Sequence, residues 1–139
     1  MTNKLIDEIR NNLDNGNVTS EMLFEEATSK AKKYQDEYNS FVTIMDNKDE
    51  VCSNSILSGI PYALKDNIST KGILTTASSN ILKDYIPLYD ATIYKKLKES
   101  GAVLMGKTVL DELAMGGTGT TGHTGIVRNP WNKERMIGG

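Results

Sequence analysis

The chain has 139 residues, the usual size of one domain, and its 16 basic against 18 acidic side chains leave a net charge of −2. That balance argues against a chain that grips nucleic acid by itself, because phosphate binding needs a basic surface. Apolar letters make up 38% of the residues, enough for a core but not a rich one. A single cysteine, Cys52, rules out an intrachain disulfide framework, and with His123 as the one histidine there are too few ligands for an ordinary zinc site. The N-terminus lacks the apolar stretch of a signal peptide, and no apolar run approaches the length of a membrane span. A cytoplasmic protein that does not engage a membrane is the expectation.

In chain order, the first amphipathic segment covers residues 3–14, where Leu5, Ile6, Ile9 and Leu13 fall at helical spacing before Asn15-Gly16. Thr19 is placed to cap a second helix, with Val18 and Leu23 in the positions of a hydrophobic staple. Leu23, Ala27, Ala31, Tyr34 and Tyr38 then line one predicted face. Residues 41–45 read as a short strand, and the polar residues 46–58 show no clear element. Gly59-Ile60-Pro61 opens an apolar run, Tyr62-Ala63-Leu64, that stops at Lys65-Asp66-Asn67. This predicts a buried strand with charged residues at its C-terminal end, the place where open α/β sheets build their sites.

Asp90 is placed to cap a helix over about residues 91–99, with Ile93 and Leu97 facing inward and Gly101 at the C′ position. Residues 102–105 read as the next strand. Thr108, with Asp111 three residues on, resembles a capping box for a short helix ending near Gly116. Strand, helix, strand, helix predicts an α/β sandwich with parallel pairing. Residues 116–139 carry seven glycines and four threonines without periodicity, which reads as a long loop.

Four groups of residues invite a chemical reading. Lys65 directly follows an apolar strand, and a lysine desolvated there could offer its lone pair as a base. The plainer reading of the same position is a surface lysine paired with Asp66. Ser78 and Ser79 follow Thr75-Thr76-Ala77 in a small-residue loop. A serine nucleophile needs a base and an oxyanion hole, and a polar turn is the plainer reading. A Ser-His-Asp hydrolase would have to use His123, which sits in Thr121-Gly122-His123-Thr124-Gly125 and reads more simply as a solvated loop residue. The glycines of residues 116–125 could cradle an anion, but they match neither a Walker A loop nor a GxGxxG fingerprint. Arg128-Asn129-Pro130-Trp131-Asn132 reads as a rigid turn with an aromatic anchor.

Taken together, an ordered series of blocks resembles the amidase-signature family. The series is Gly59-Ile60-Pro61-Tyr62-Ala63-Leu64-Lys65-Asp66-Asn67, Thr75-Thr76-Ala77-Ser78-Ser79, Asp90-Ala91-Thr92, Gly101-Ala102-Val103-Leu104-Met105-Gly106-Lys107-Thr108, Asp111-Glu112-Leu113-Ala114-Met115-Gly116, Arg128-Asn129-Pro130-Trp131 and Gly138-Gly139. It covers about residues 59–139. The Asp111 to Gly116 block and the run into Trp131 look most like one branch of the family, the A subunits of glutamyl-tRNA(Gln) amidotransferases.

The resemblance implies an α/β fold: helices over about residues 1–40, then the start of a mixed-sheet α/β/α core over about 41–139. All of it would be the N-terminal part of a single domain, incomplete in this chain. It implies that Lys65 is the catalytic lysine. Such a lysine relays protons through a serine held by a cis peptide while a second serine attacks the amide carbon. Gly138-Gly139 would open the serine-bearing motif, so both serines and the oxyanion hole would lie beyond Gly139 and the 139 residues alone would be inactive. The implied activity releases ammonia from glutamine. Partner subunits B and C would complete an assembly that uses ATP and Mg to convert Glu-tRNA(Gln) to Gln-tRNA(Gln), with no cofactor in this chain. A stand-alone amidase acting on a small amide, and a scaffold that keeps the fold without chemistry, are the alternatives. One departure stands out: Gly119-Thr120-Thr121-Gly122 holds no acid where the A subunits often carry an acidic residue followed by Asn, a detail that bears on the glutamine pocket or the ammonia path.

Overall fold

The computed structural model describes residues 3–51 and 53–139. Helix α1 spans Asn3–Asp14 and helix α2 spans Ser20–Tyr38, in agreement with the periodicity. The Thr19 hydroxyl accepts a hydrogen bond from the Met22 amide at 3.2 Å, satisfying one of the orphan donors of the first turn. Asn39 closes the helix in the left-handed conformation at φ 51°. The buried face of α2 is rotated from the expected one. Phe24 and Thr28 point inward, while Tyr34 is 43% exposed. The bulkier Phe24 takes the interior, and Thr28 can follow it because its hydroxyl donates to the Phe24 carbonyl at 2.8 Å.

Three strands follow: β1 (Phe41–Ile44), β2 (Pro61–Lys65) and β3 (Val103–Thr108). They form one mixed sheet in the order β1-β3-β2, with β2 parallel and β1 antiparallel to the central β3. The parallel pair is the one that the alternation of strand and helix predicts. β3 runs beyond the expected 102–105 because Gly106 and Lys107 continue the ladder, opposite Ala63 and Leu64 on one side and Ile44 and Thr43 on the other. Gly106 is where the sheet admits no side chain. A Cβ there would meet the Thr43 carbonyl oxygen at 2.6 Å and the Phe41 ring at 2.9 Å.

Helix α3 (Thr92–Glu99) carries the chain from β2 back to β3, and two expectations about it are corrected. Asp90 does not cap it. Ala91 holds the N-cap position without a side-chain bond, and Asp90 Oδ1 instead accepts from the Lys71 amide at 2.6 Å. Its inner face is Tyr94 with Leu97, and Ile93 is 50% exposed. Tyr94 buries more apolar area than an isoleucine can, which sets the rotation of this short helix. The C-terminus is as expected: Gly101 at φ 73° donates to the Lys98 carbonyl at 2.9 Å, and Ala102 donates to the Leu97 carbonyl at 3.1 Å, a Schellman closure. Thr108 ends β3 rather than opening a capping box. The short 3₁₀ turn Glu112–Ala114 follows Asp111, whose side chain does not cap it.

Leu64, Tyr94 and Leu104 form the centre of the core, with Met45, Tyr62, Ile68, Ile73 and Leu97 packed against them. Residues 46–58 contain no helix or strand among those described. Arg10 ties their end to α1 by donating to the Ser58 carbonyl at 2.6 Å.

Replacing Gly106 with alanine should lower the urea midpoint by an amount equivalent to about 1–3 kcal/mol, since the obstacle is a backbone oxygen that a rotamer change cannot clear. Gly117→Ala, with nothing within 4 Å of the added carbon, should stay within about 0.5 kcal/mol. Equal midpoints for the two variants would contradict this account of the sheet.

Candidate functional site

Lys65 is the last residue of β2 and is opposite Thr108, the last residue of β3. Its backbone is held on both sides of the following peptide. The Lys65 carbonyl accepts from the Ile68 amide at 3.0 Å, and the Asp66 amide donates to the Thr108 carbonyl at 3.1 Å. The side chain is half-buried and forms no hydrogen bond or ion pair among the described residues. The pairing of Lys65 with Asp66, the plainer sequence reading, is absent.

Asp66 has another partner. It has no exposed surface, and its Oδ2 accepts from the Thr76 amide at 2.8 Å and the Thr76 hydroxyl at 2.6 Å. Its Oδ1 lies 3.5 Å from Lys107 Nζ, close enough for an ion pair and too long for a good hydrogen bond, and makes no other polar contact. Lys107 is also fully buried. Its ammonium donates to the Ile68 carbonyl at 3.0 Å, Thr70 Oγ1 at 3.0 Å and Thr75 Oγ1 at 2.9 Å. Burial pulls the Lys107 pKa down, and the Asp66 carboxylate opposes that shift. The desolvated lysine of this fold is therefore Lys107, a residue that the sequence patterns do not single out. The available signal was the cluster Thr70, Thr75 and Thr76, small hydroxyl residues able to satisfy a buried ammonium.

Beyond the strand ends, two turns clasp each other. Ala77 (φ 48°) and Ser78 (φ 50°) form one consecutive left-handed pair, and Leu113 (φ 52°) and Ala114 (φ 59°) form another. Non-glycine residues in this region cost about 1–3 kcal/mol each and persist only where the surroundings fix them. Here the Leu113 amide donates to the Ala77 carbonyl at 2.9 Å, and the Leu110 amide donates to Ser78 Oγ at 3.0 Å. Ser79 Oγ donates to Glu112 Oε1 at 2.7 Å. Both serines are fully buried with their hydroxyls engaged, in keeping with the structural reading of the loop. His123 is exposed, and its backbone amide contributes the contact, donating to the Ser78 carbonyl at 2.8 Å.

Residues 116–121 do surround an anion, and the anion is Asp111. Its Oδ2 accepts from the Thr118 and Gly119 amides, each at 2.8 Å. Its Oδ1 accepts from the Thr120 amide at 2.9 Å, the Thr121 amide at 3.1 Å and the Thr121 hydroxyl at 2.9 Å. These donors, the Gly119 amide foremost, hold the carboxyl well below the usual carboxylate range although burial works the other way. The last residues return to this loop: a Cβ on Gly119 would strike Ile137, and one on Gly139 would strike the backbone of Gly116 and Gly117. The turn at Asn129 is rigid as expected, with Oδ1 accepting from the Trp131 amide at 2.9 Å, but Trp131 is 95% exposed and is no anchor within these residues.

Two surface clefts, about 360 Å³ beside Arg10 and Ser55 and about 400 Å³ between Gln35 and Arg128, lie away from Lys65. Neither cleft is lined by Lys65, Asp66 or Lys107, and the ionisable groups at the strand ends define the candidate site. Among the described residues, no group of His, Cys, Asp and Glu could hold a metal ion, and no helix is long and apolar enough to cross a membrane.

The Asp111 loop should resist acid. A carboxyl whose folded pKa lies below its unfolded value of about 3.9 gives its full stabilisation above that value, and loses it as the pH falls through the folded value. Amide protection at Gly119 and Thr121 should stay level from pH 7 down to about 4 and fall only under further acidification, whereas Asp111→Asn should lower protection across the whole range. A wild-type loss centred above pH 4, read by hydrogen exchange, would contradict the assignment.

The amidase family model matches residues 1–139. The chain is 44% identical to the A subunit of glutamyl-tRNA(Gln) amidotransferase from Saccharolobus solfataricus, an alignment that covers 100% of this chain and 30% of that protein. It is 42% identical to the protein of the same name from Streptococcus pneumoniae (strain 70585), over 99% of this chain and 30% of the relative. The crystal structure of the corresponding glutamyl-tRNA(Gln) amidotransferase A subunit from Thermotoga maritima superposes with a TM-score of 0.79 at 39% identity, over 86% of this chain and 26% of that one. The chain thus spans about 30% of the length of the curated relatives it matches. With the family matched from the first residue to the last, and with the helices and mixed sheet shared with a solved relative, the chain belongs to the amidase family.

Proposed function

We propose that the protein carrying this chain is the glutamine-hydrolysing subunit of a glutamyl-tRNA(Gln) amidotransferase and that Lys65 is its catalytic lysine. The observation that carries the reading is the position of Lys65 at the C-terminal end of a parallel strand, with the charge of its chain neighbour Asp66 committed to Lys107. A carboxylate beside a lysine favours the charged ammonium and opposes base chemistry. Here the adjacent carboxylate faces away. In this reading Lys65 draws a proton through a bridging serine from a second serine, which attacks the carboxamide carbon of glutamine. The carbon–nitrogen bond then breaks, the nitrogen takes the proton and leaves as ammonia, and water releases glutamate from the acylated serine. Both serines would follow Gly139. The released ammonia would pass to subunits B and C, where ATP and Mg activate Glu-tRNA(Gln) for conversion to Gln-tRNA(Gln).

One observation favours a second reading, an amidase that works alone on a small amide. Residues 119–122 hold no acid, and their amides are occupied by Asp111 instead. Glutamine-dependent amidation that requires partner subunits supports the first reading, and partner-free hydrolysis of simple amides supports the second.

In the full-length protein, Lys65→Ala should abolish glutamine-dependent amidation while amidation from free ammonia survives, because only the ammonia source is lost. Lys65→Arg should fail as well, since a guanidinium does not give up its proton near neutral pH. Near-wild-type glutamine-dependent activity in either variant would refute the role.

His123→Gln should leave the chemical step within about tenfold, a barrier change of about 1.4 kcal/mol, because the loop uses the His123 backbone and not its ring. A loss of several orders of magnitude with the fold intact would point to a Ser-His-Asp mechanism.

A further inference from the structure

We propose that Thr76, acting with Asp66 and Lys107, is a positioning residue for Lys65. The inference rests on the reading of Lys65 as the catalytic lysine. Strand alternation separates the two lysines. Leu64 is opposite Lys107 and Lys65 is opposite Thr108, so the side chains of Lys65 and Lys107 leave opposite faces of the sheet. Asp66, two residues after Leu64, returns to the Lys107 face and meets its ammonium there. The device is thus built on one face and acts on a side chain that leaves by the other. What the two faces share is the peptide between Lys65 and Asp66, held by the Ile68 amide and the Thr108 carbonyl.

Thr76 joins that peptide to the strained turn. Its hydroxyl donates to Asp66 Oδ2 at 2.6 Å and accepts from the Ser78 amide at 3.0 Å. Its own amide donates to the same Oδ2 at 2.8 Å, and the next amide, Ala77, donates to the Asp66 carbonyl at 3.1 Å. The carboxylate is therefore fixed from the turn on one oxygen and by Lys107 on the other. Thr76, Ser78, Asp66 and Lys107 are each at most 1% exposed, so water does not stand in for a bond that is lost. Losing the Thr76 hydroxyl leaves the Ser78 amide without its acceptor and removes one of the two turn bonds to Asp66 Oδ2, which loosens the left-handed pair and, with it, the hold on the peptide that joins Asp66 to Lys65. An error of about 1 Å in a reacting group can cost on the order of a hundredfold in rate.

Asp66→Asn is a poor test, because it strands a buried ammonium and threatens the fold. Thr76→Val keeps the shape and removes the hydroxyl, and Thr76→Ser keeps the hydroxyl. The measurement is steady-state ammonia release from glutamine by the full-length assembly, corrected for folded protein, with Lys65→Ala beside it. Thr76→Val should lose about tenfold to a hundredfold in kcat with KM within about twofold, and Thr76→Ser should recover most of the loss. A kcat for Thr76→Val within about twofold of wild type, with Lys65→Ala inactive, overturns the positioning role and leaves the Lys65 reading standing. An active Lys65→Ala overturns both. If Thr76→Val does not accumulate as folded protein, Thr76→Ala, which removes the same hydroxyl without setting a second methyl against Asp66 Oδ2, is read by the same split. A wild-type kcat for that variant overturns the proposal.

Discussion

The ammonium of Lys107 sits inside the protein with no exposed surface, and the arrangement around it follows from keeping it satisfied. Burying a charge costs several kcal/mol unless it is paired and hydrogen-bonded. β3 can hold a buried lysine near its C-terminal end only because the loop after β2 folds back to supply the Ile68 carbonyl and the hydroxyls of Thr70 and Thr75, and because Asp66 offers its carboxylate. Each of those groups comes from residues 66–75, an irregular segment. The ion pair therefore fixes a loop that apolar packing alone would leave loose, and it does so directly under the C-terminal ends of the two parallel strands.

Asp111 repeats the principle on the next loop. A buried carboxylate gathers the amides of residues 118–121, so a glycine-rich stretch with little packing of its own becomes an ordered shell. The two shells meet through Ser78 and the 110–113 turn, where main-chain and hydroxyl bonds hold both pairs of left-handed residues. The edge of the sheet is thus built from internal ions and strained turns in place of a larger apolar core. A composition with few apolar residues is consistent with that solution.

What could be read from the sequence divides along the range of the interactions. The Schellman closure at Gly101, the Thr19 cap and the strand ending at Lys65 depend on residues within a few positions of one another, and the sequence shows them. The α3 cap differs from its local pattern because an aspartate before a helix can satisfy any nearby amide, and Asp90 takes that of Lys71, 19 residues away. The rotations of α2 and α3 are set by Phe24 and Tyr94, whose size matters only once the sheet is present. Lys107 is hidden for a related reason. The partners of Lys107 lie 32 to 41 residues earlier in the chain, and nothing in the run Met105-Gly106-Lys107-Thr108 marks its lysine as different from any strand-end lysine.

The two lysines at this sheet edge illustrate how environment divides roles between identical side chains. An ammonium has three protons to donate, and Lys107 has placed all of them on protein oxygens with a carboxylate nearby. Removing one of those protons would break a hydrogen bond in a site closed to water, so Lys107 is committed to structure even though burial lowers its pKa. Lys65 has none of its protons engaged among the described residues, and it is held by its backbone alone. A perturbed lysine is often taken as the mark of a catalytic one. In this fold the perturbed lysine, Lys107, is taken up in holding the loop together, while the Lys65 side chain at the same sheet edge makes no hydrogen bond or ion pair among the described residues.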